Sequence, residues 1–247
     1  MKKAFVLSAL LVAFAIPARA QSVTVVDQPV QGSSIVTSDT FVENPTSSWR
    51  IAIQAGAAYN PGKVAESDAG LKEYYKGLKW GLNLGADVTY FLARNWGLGA
   101  KFSNAHFANS TTGTVYFDTG ESRSGVLSDD VNTYFAGPIV SFRWLSSNNR
   151  LSFLTYYGIG YIGYHNKAMV VDPIEMKGAT PGFALGFDFD LGITDRLFFG
   201  IEAGMVSGAL RSYTATMYGV TQKVNLNSDE IMSASHIDLA AGLRLLF

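Results

Sequence analysis

The stretch HIDLAAGLRLLF, residues 236–247, decides the fold because apolar and polar side chains alternate through it. Every second residue from Ile237 to Phe247 is apolar, and His236, Asp238 and Arg244 lie on the opposite face. Strict alternation is typical of a β-strand, in which successive side chains point to opposite faces of a sheet. The stretch therefore predicts a strand with one apolar face that continues to Phe247.

Seven further segments repeat this alternation, which predicts an all-β fold. The eight predicted strands lie at residues 49–59, 80–90, 96–102, 134–144, 151–161, 183–193, 197–205 and 237–247. Connections of three to five residues alternate with polar connections of about 14 to 28 residues, an arrangement typical of an up-and-down outer-membrane barrel. A local helical pattern appears at residues 66–78, and alternation within residues 213–228 predicts a hairpin in the last long connection.

The start of the chain predicts export. Two lysines precede an apolar run at residues 4–16, and Pro17 and an Ala-Arg-Ala cleavage pattern follow, which is typical of a secretory signal peptide over residues 1–20. Residues 21–48 are polar and predict a flexible periplasmic lead-in. The predicted barrel domain then covers residues 49–247.

Composition excludes several classes of protein. The chain has no cysteine, which excludes a disulfide framework and a thiolate metal site. The net charge of −1 provides no basic field for nucleic acid, so we expect no nucleic-acid partner. Charged residues make up 16%, against roughly 25% in typical globular proteins, and aromatic residues make up 13%. The aromatic residues must therefore fill a large core or face lipid.

Aromatic spacing favours lipid. Trp49 and Tyr59 lie ten residues apart on one strand face, which spans about 33 Å along a strand and about 25 Å across a membrane at the usual tilt. Two other predicted strands repeat this spacing. The aromatic residues predicted to form two girdles at the membrane surfaces are Trp49, Tyr59, Trp80, Tyr90, Trp96, Tyr134 and Trp144. A soluble lipocalin-type barrel, with its apolar face inside, would not need this spacing.

The final strand resembles the assembly signal of bacterial outer-membrane barrels, with Leu243, Leu245 and the aromatic Phe247 on its apolar face. The resemblance covers residues 49–247 and is to the small eight-stranded OmpA/OmpX-type barrels. It implies an eight-stranded antiparallel up-and-down transmembrane β-barrel with short periplasmic turns and long extracellular loops. It also implies location in the bacterial outer membrane and recognition of Phe247 by the barrel-assembly machinery during insertion.

If the apolar faces meet lipid, the opposite faces point into the bore. The charged residues on these faces are Arg50, Asp87, Lys101, Arg143, Asp188, Asp190, Glu202, Asp238 and Arg244. An eight-stranded bore is just wide enough for side chains to fill, and buried charges must pair. Four positive and five negative groups therefore predict a salt-bridge network that plugs the lumen. The alternative interpretation is an ion path.

Other patterns point weakly to chemistry. The stretch GIGYIG, residues 158–163, matches a dinucleotide fingerprint but lies inside a predicted strand with no helix after it. The three histidines are scattered, so no metal site is expected. His236 with Asp238 and the neighbouring Ser233 and Ser235 form a possible lipid-hydrolase constellation. A serine and a histidine at a strand end are more often simply polar groups at the interface, and we expect no catalytic site and no cofactor.

We therefore expect a non-enzymatic integral outer-membrane protein with a plugged lumen, which serves envelope structure or surface contact through its extracellular loops. The alternatives are a porin-like narrow channel, an OmpW-like route for small apolar solutes, and a lipid-modifying enzyme. The expected partners are outer-membrane lipid and lipopolysaccharide, the barrel-assembly machinery during insertion, and an extracellular ligand of the loops. We expect a monomer.

Overall fold

The computed structural model describes residues 48–62, 71–116, 122–227 and 231–247. The predicted signal peptide, residues 1–20, and the predicted lead-in, residues 21–48, lie outside this part of the chain apart from Ser48. No helix in the described ranges is long and apolar enough to cross a membrane.

The described chain is built almost entirely from strands. The helix α1 is Lys72–Gly77, within the stretch where the sequence shows a local helical pattern. The strands are β1 (Trp49–Tyr59), β2 (Trp80–Ala93), β3 (Trp96–Tyr116), β4 (Ser122–Leu145), β5 (Leu151–Val170), β6 (Asp172–Gly192), β7 (Leu197–Leu210), β8 (Ser212–Met217), β9 (Val220–Asn225), β10 (Met232–Ser233) and β11 (His236–Leu246).

Eight of these strands close into a ring. β1 to β7 follow one another as antiparallel neighbours, β7 also pairs with β11, and β11 pairs with β1. Closure pairs Ile53 with Leu243, so the final strand seals the sheet against the first one and leaves no edge. The predicted eight-stranded antiparallel up-and-down barrel is confirmed.

The two ends of the barrel differ as predicted, with short turns at one end. At the other end, extended strands replace much of the predicted long loops. Short turns join β2 to β3, β4 to β5 and β6 to β7. At the other end, the predicted third loop is absent, because β5 and β6 remain paired up to Val170 and Asp172, with Val171 alone between them at φ 65°. β3 and β4 likewise stay paired as far as Tyr116 and Ser122. These strands extend beyond the apolar band, where polar residues replace the apolar ones on the outer face and the regular alternation is therefore lost.

The predicted hairpin in the last long connection is present as β8 and β9. β8 pairs with the upper part of β6, and β9 continues the sheet from β8. The turn between them places Tyr218 and Gly219 at positive φ. The extracellular end is therefore a raised β-structure continuous with the barrel wall.

The outer wall is apolar and the interior is filled. Ile159 is 72% exposed and Leu82 is 67% exposed, whereas charged residues lie inside with almost no exposure. A water-soluble protein would expose its charges instead, so this distribution contradicts the lipocalin-type arrangement and fits a wall that faces lipid.

Candidate functional site

All nine charged residues predicted to face the bore are buried. Strand alternation from Trp49 onward places each of them on the inner face, opposite the exposed apolar residues. The nine are Arg50, Asp87, Lys101, Arg143, Asp188, Asp190, Glu202, Asp238 and Arg244. The structure joins seven of them into two clusters around the arginines and the lysine, and each of the other two makes its own contact.

The lower cluster centres on Arg50 of β1. Its guanidinium lies 2.6 Å from Asp87, 2.9 Å from Asp188 and 3.3 Å from Asp190. The carboxylates come from β2 and β6, so one arginine links three strands of the ring. Arginine suits this role because its planar fork of donors can bind several carboxylate oxygens at once.

Arg244 of β11 binds the same two β6 aspartates. It lies 3.1 Å from Asp188 and 2.9 Å from Asp190, and it donates a hydrogen bond of 3.0 Å to the carbonyl of Gly200. A Cβ at Gly200 would lie 2.0 Å from an Asp190 carboxylate oxygen. The glycine therefore leaves the space that this cluster occupies.

A second cluster lies around Glu202 of β7. Lys101 of β3 places its ammonium 2.8 and 2.9 Å from the two carboxylate oxygens. Gln54 donates a hydrogen bond of 2.5 Å to the same carboxylate, and Tyr156 donates one of 2.8 Å. The ammonium, the amide and the hydroxyl therefore replace hydrogen bonds to water that the Glu202 carboxylate loses when it is buried.

Gln54 and Tyr156 were not among the predicted site residues. Their position in the alternation could have identified them, because Gln54 lies four residues after Arg50 on the same strand face. Tyr156 stands between outward-facing neighbours in β5, within a segment where apolar residues occupy both faces and obscure the pattern.

Arg143 and Asp238 make separate contacts. The guanidinium of Arg143 lies 3.5 Å from the centre of the Phe91 ring and donates a hydrogen bond of 3.1 Å to the carbonyl of Arg94. Asp238 lies 2.8 Å from Nδ1 of His236. The first contact lies near the short turns, and the second lies near the extracellular end.

The histidine constellation is only partly assembled. Nε2 of His236 is buried and has no hydrogen-bond partner in the described part of the chain. Ser235 donates instead to Ser207 and to the carbonyl of Gly208, each at 3.3 Å, and its own amide donates to Ser233. A histidine and an aspartate are therefore paired, but neither predicted serine is hydrogen-bonded to the histidine as an activated nucleophile would be.

An apolar layer fills the bore beside and above the charges. Phe135, Ile162, Val206 and Leu210 are each no more than 2% exposed and belong to one buried cluster. Inward positions on β4, β5 and β7 carry these large apolar residues, so the interior there is packed as a protein core.

The helix α1 covers the extracellular mouth. Tyr74 donates a hydrogen bond of 2.5 Å to Asp129, Asn166 donates to the same carboxylate, and Asn109 donates to the Tyr74 carbonyl. Burial and the bond to Asp129 raise the pKa of Tyr74 well above its ordinary value. Beneath the helix lies a cavity of about 220 Å³, lined in part by Phe107.

The predicted girdle residues lie at the two rims of the apolar band. At one rim Trp49 packs on Tyr90 with ring centres 4.9 Å apart, and at the other Tyr59 packs on Trp80 at 5.0 Å. The remaining girdle residues are Trp96 and Trp144, whose strand ends carry the short turns, and Tyr134, whose ring centre lies 6.1 Å from that of Tyr161.

The predicted assembly-signal residues face outward from the last strand. Leu243, Leu245 and Phe247 are all exposed on the wall. The backbones of Phe247 and Trp49 exchange two hydrogen bonds of 2.8 and 3.1 Å, so Phe247 lies at the rim with the short turns.

The described residues contain no group of histidine and acidic side chains arranged to hold a metal ion. His106 and His165 lie on the outer face, where they contact Asp130 and Glu175 at 3.5 and 2.8 Å. The glycine-rich stretch at residues 158–163 lies within β5. A strand offers no helix N-terminus to a phosphate, so the fingerprint geometry is missing there.

Comparison with known proteins yields structural likeness alone. No family model and no curated protein matches the chain. The outer-membrane protease OmpT of Escherichia coli matches at 8% identity and a TM-score of 0.44, over 69% of this chain and 65% of its own, so this chain spans just under two thirds of OmpT. Neisserial surface protein A matches at 9% identity and a TM-score of 0.48, over 82% of this chain and 99% of its own. OprG from Pseudomonas aeruginosa matches at 12% identity and a TM-score of 0.48, over 82% of this chain and 97% of its own.

The architecture follows from the chain's own geometry. The sheet closes into a ring of eight strands, and the wall exposes an apolar band between two aromatic rims. Between the two rims the charged side chains of the described strands point into the interior. With these features the chain is a closed, eight-stranded, antiparallel up-and-down transmembrane β-barrel.

Proposed function

We propose that this protein is a non-enzymatic integral protein of the bacterial outer membrane with a plugged lumen. It serves envelope structure or surface contact through its extracellular hairpins. Its partners are outer-membrane lipid and lipopolysaccharide, the barrel-assembly machinery during insertion, and a ligand of the hairpins. It functions as a monomer.

The contact between Lys101 and Glu202 carries the proposal. In a ring of eight strands, β3 and β7 stand on opposite sides of the bore. A direct contact of 2.8 Å between side chains from these strands crosses the full diameter, and both residues are less than 5% exposed. An aqueous pore at this level would need these two groups to separate and lose their partner in a poorly solvated interior.

The packing above and below this contact supports the same function. The arginine–aspartate cluster fills the bore towards the short turns, and the apolar layer around Phe135 fills it on the extracellular side. A solute in the cavity beneath α1 would therefore meet packed side chains. This arrangement disfavours the porin-like channel.

Conductance of the folded protein in planar lipid bilayers tests the plugged lumen. We expect a quiet baseline, with the folded state of the same sample checked by the shift in gel mobility upon heating. Large, stable open-pore currents would contradict the plug. Liposome swelling in small sugars is the matched bulk measurement, and we expect no swelling beyond protein-free vesicles.

The absence of enzymatic activity is part of the proposal. It is supported by the geometry at His236, whose Nε2 has no hydrogen-bonded serine in the described part of the chain. The test incubates the folded protein with phospholipid and with a peptide substrate, and compares it with His236→Ala. Turnover that depends on His236 would show that the protein is an enzyme.

A further inference from the structure

The extracellular extension carries one row of polar side chains across four neighbouring strands. His165 of β5 pairs with Lys177 of β6, Lys177 pairs with Thr214 of β8, and Thr214 pairs with Lys223 of β9. Directly paired residues in antiparallel strands point to the same face of the sheet. The four side chains therefore project from the same outer face of the wall.

This row lies just beyond the extracellular aromatic rim. Tyr134 of that rim pairs with Gly163, two residues before His165, so the row stands about 7 Å further along the strands. Aromatic girdles mark the boundary between hydrocarbon and headgroups. A step of this length beyond the rim places the row at the depth of lipid headgroups.

A groove of about 540 Å³ runs along the row. Its lining includes Tyr134, Tyr161, His165, Lys177, Thr214 and Lys223. Thr214 has the shortest side chain of the four. Because β8 lies between β6 and β9, the backbones of Lys177 and Lys223 are two strand spacings apart, about 10 Å. A phosphate group fits above the threonine, within reach of both flexible lysine side chains.

The groove is positively charged. Glu175 lies 2.8 Å from Lys177 and 2.8 Å from His165, and these hydrogen bonds hold the pKa of the Glu175 carboxyl below its usual range. Lys167 pairs with Glu175 from β5 and adds a cation on the same outer face. On this outer face Lys167, Lys177 and Lys223 stand with two carboxylates, Glu175 and the Asp130 that pairs with Lys167 from β4, which leaves an excess of one positive charge before His165 is counted.

We propose that this groove binds the phosphate group of an outer-leaflet lipid headgroup. Lys177 and Lys223 donate to the phosphate oxygens from either side of Thr214. Tyr134 and Tyr161 contact the part of the lipid between its headgroup and its acyl chains, with their hydroxyls towards the headgroup. A phosphomonoester is preferred over phosphatidylcholine, because the choline cation would lie against the lysines. The inference rests on the proposed membrane location but not on the plugged lumen.

The test measures lipid binding by the full barrel in phosphatidylcholine nanodiscs that contain increasing fractions of phosphatidic acid. Native mass spectrometry counts retained phosphatidic acid, and ³¹P NMR reports its resonance. Each lysine that contacts the lipid phosphate at the membrane surface contributes about a fivefold preference for the anionic lipid, so Lys177→Gln/Lys223→Gln should lower the apparent affinity by about 25-fold. Lys79→Gln is the matched control, because Lys79 lies over Tyr59 at the same rim on a different part of the wall. It should bind as the wild type does.

Three results would overturn the proposal, of which two concern the specificity of binding. One is equal retention of phosphatidic acid by the double variant and by the Lys79→Gln control. The other is saturation of the site by inorganic phosphate at millimolar concentration with no preference among the lipids, which would identify a free anion as the ligand. Failure of lipid binding with a quiet conductance baseline would refute this inference and leave the plugged barrel in place.

Discussion

Replacement of Lys101 by methionine tests the contact across the bore most directly. Methionine keeps an unbranched apolar stem of the same length, with sulfur in place of Cδ, and lacks the ammonium group. Glu202 then stays buried and loses both of its contacts with the ammonium, at 2.8 and 2.9 Å. It keeps its hydrogen bonds from Gln54 and Tyr156.

The expected cost follows from these contacts. Removing one partner of a buried ion pair typically costs about 3–5 kcal/mol, because the other charge remains without compensation. The two hydrogen bonds that Glu202 retains place Lys101→Met near the lower end, at about 3 kcal/mol. Adding Glu202→Gln should recover part of this loss, since the buried charge is then removed as well.

The assay is urea unfolding of the barrel in phosphatidylcholine vesicles, followed by tryptophan fluorescence. All four tryptophans lie at the rims of the apolar band, so they report transfer from lipid to water. Lys79→Met is the control for loss of a lysine, and it should change the free energy of unfolding by less than about 0.5 kcal/mol. A Lys101→Met variant as stable as this control, with no coupling to Glu202→Gln, would refute the structural role of the contact.

Three further changes test other parts of the structure. Gly200→Ala should lower the free energy of unfolding by about 1–3 kcal/mol in the same assay, because its Cβ would overlap the Asp190 carboxylate. Since the pKa of Tyr74 is raised, its hydrogen bond to Asp129 should persist below pH 10 and be lost as pH rises through the raised folded-state value. The difference in absorbance at 295 nm between the wild type and Tyr74→Phe measures the ionisation of Tyr74. Titration of Tyr74 at its ordinary value would contradict the prediction. Deletion of Phe247 should impair insertion by the assembly machinery more than the stability of the finished barrel, and normal insertion rates would count against its role as a signal.

The transmembrane part of the fold is readable from the sequence because its two faces meet different surroundings. Outward residues such as Ile53 face lipid and inward residues such as Gln54 face the bore, so apolar and polar residues alternate along the sequence. Beyond the rim the outer face becomes polar, as at His165, while inner residues such as Ile162 and Phe107 stay buried. β3, β4, β5 and β6 therefore continue as strands for many residues without apolar alternation, and the sequence appears there as polar loops.

The interior was predictable in content but not in pairing. Alternation identifies which charged residues point inward, and it does so one strand at a time. The pairing of these charges depends on the position of each strand in the ring and on the register between strands. Lys101 and Glu202 are 101 residues apart and therefore come together only when the sheet closes into a barrel. Inward residues such as Phe135 were missed because their strands carry apolar side chains on both faces, and a period of two then disappears.

The arginine cluster also bears on how the barrel closes. Arg50 stands on the first strand and Arg244 on the last, and the two strands pair along their whole length. Both arginines bind Asp188 and Asp190 of β6, which lies two strands away from β11 around the ring. A slip of either strand by one residue would turn its arginine towards lipid near the short-turn rim, at about 0–1 kcal/mol, and would leave the shared buried aspartates uncompensated, which typically costs about 3–5 kcal/mol. The same contacts that fill the bore therefore favour the correct register at the closing seam.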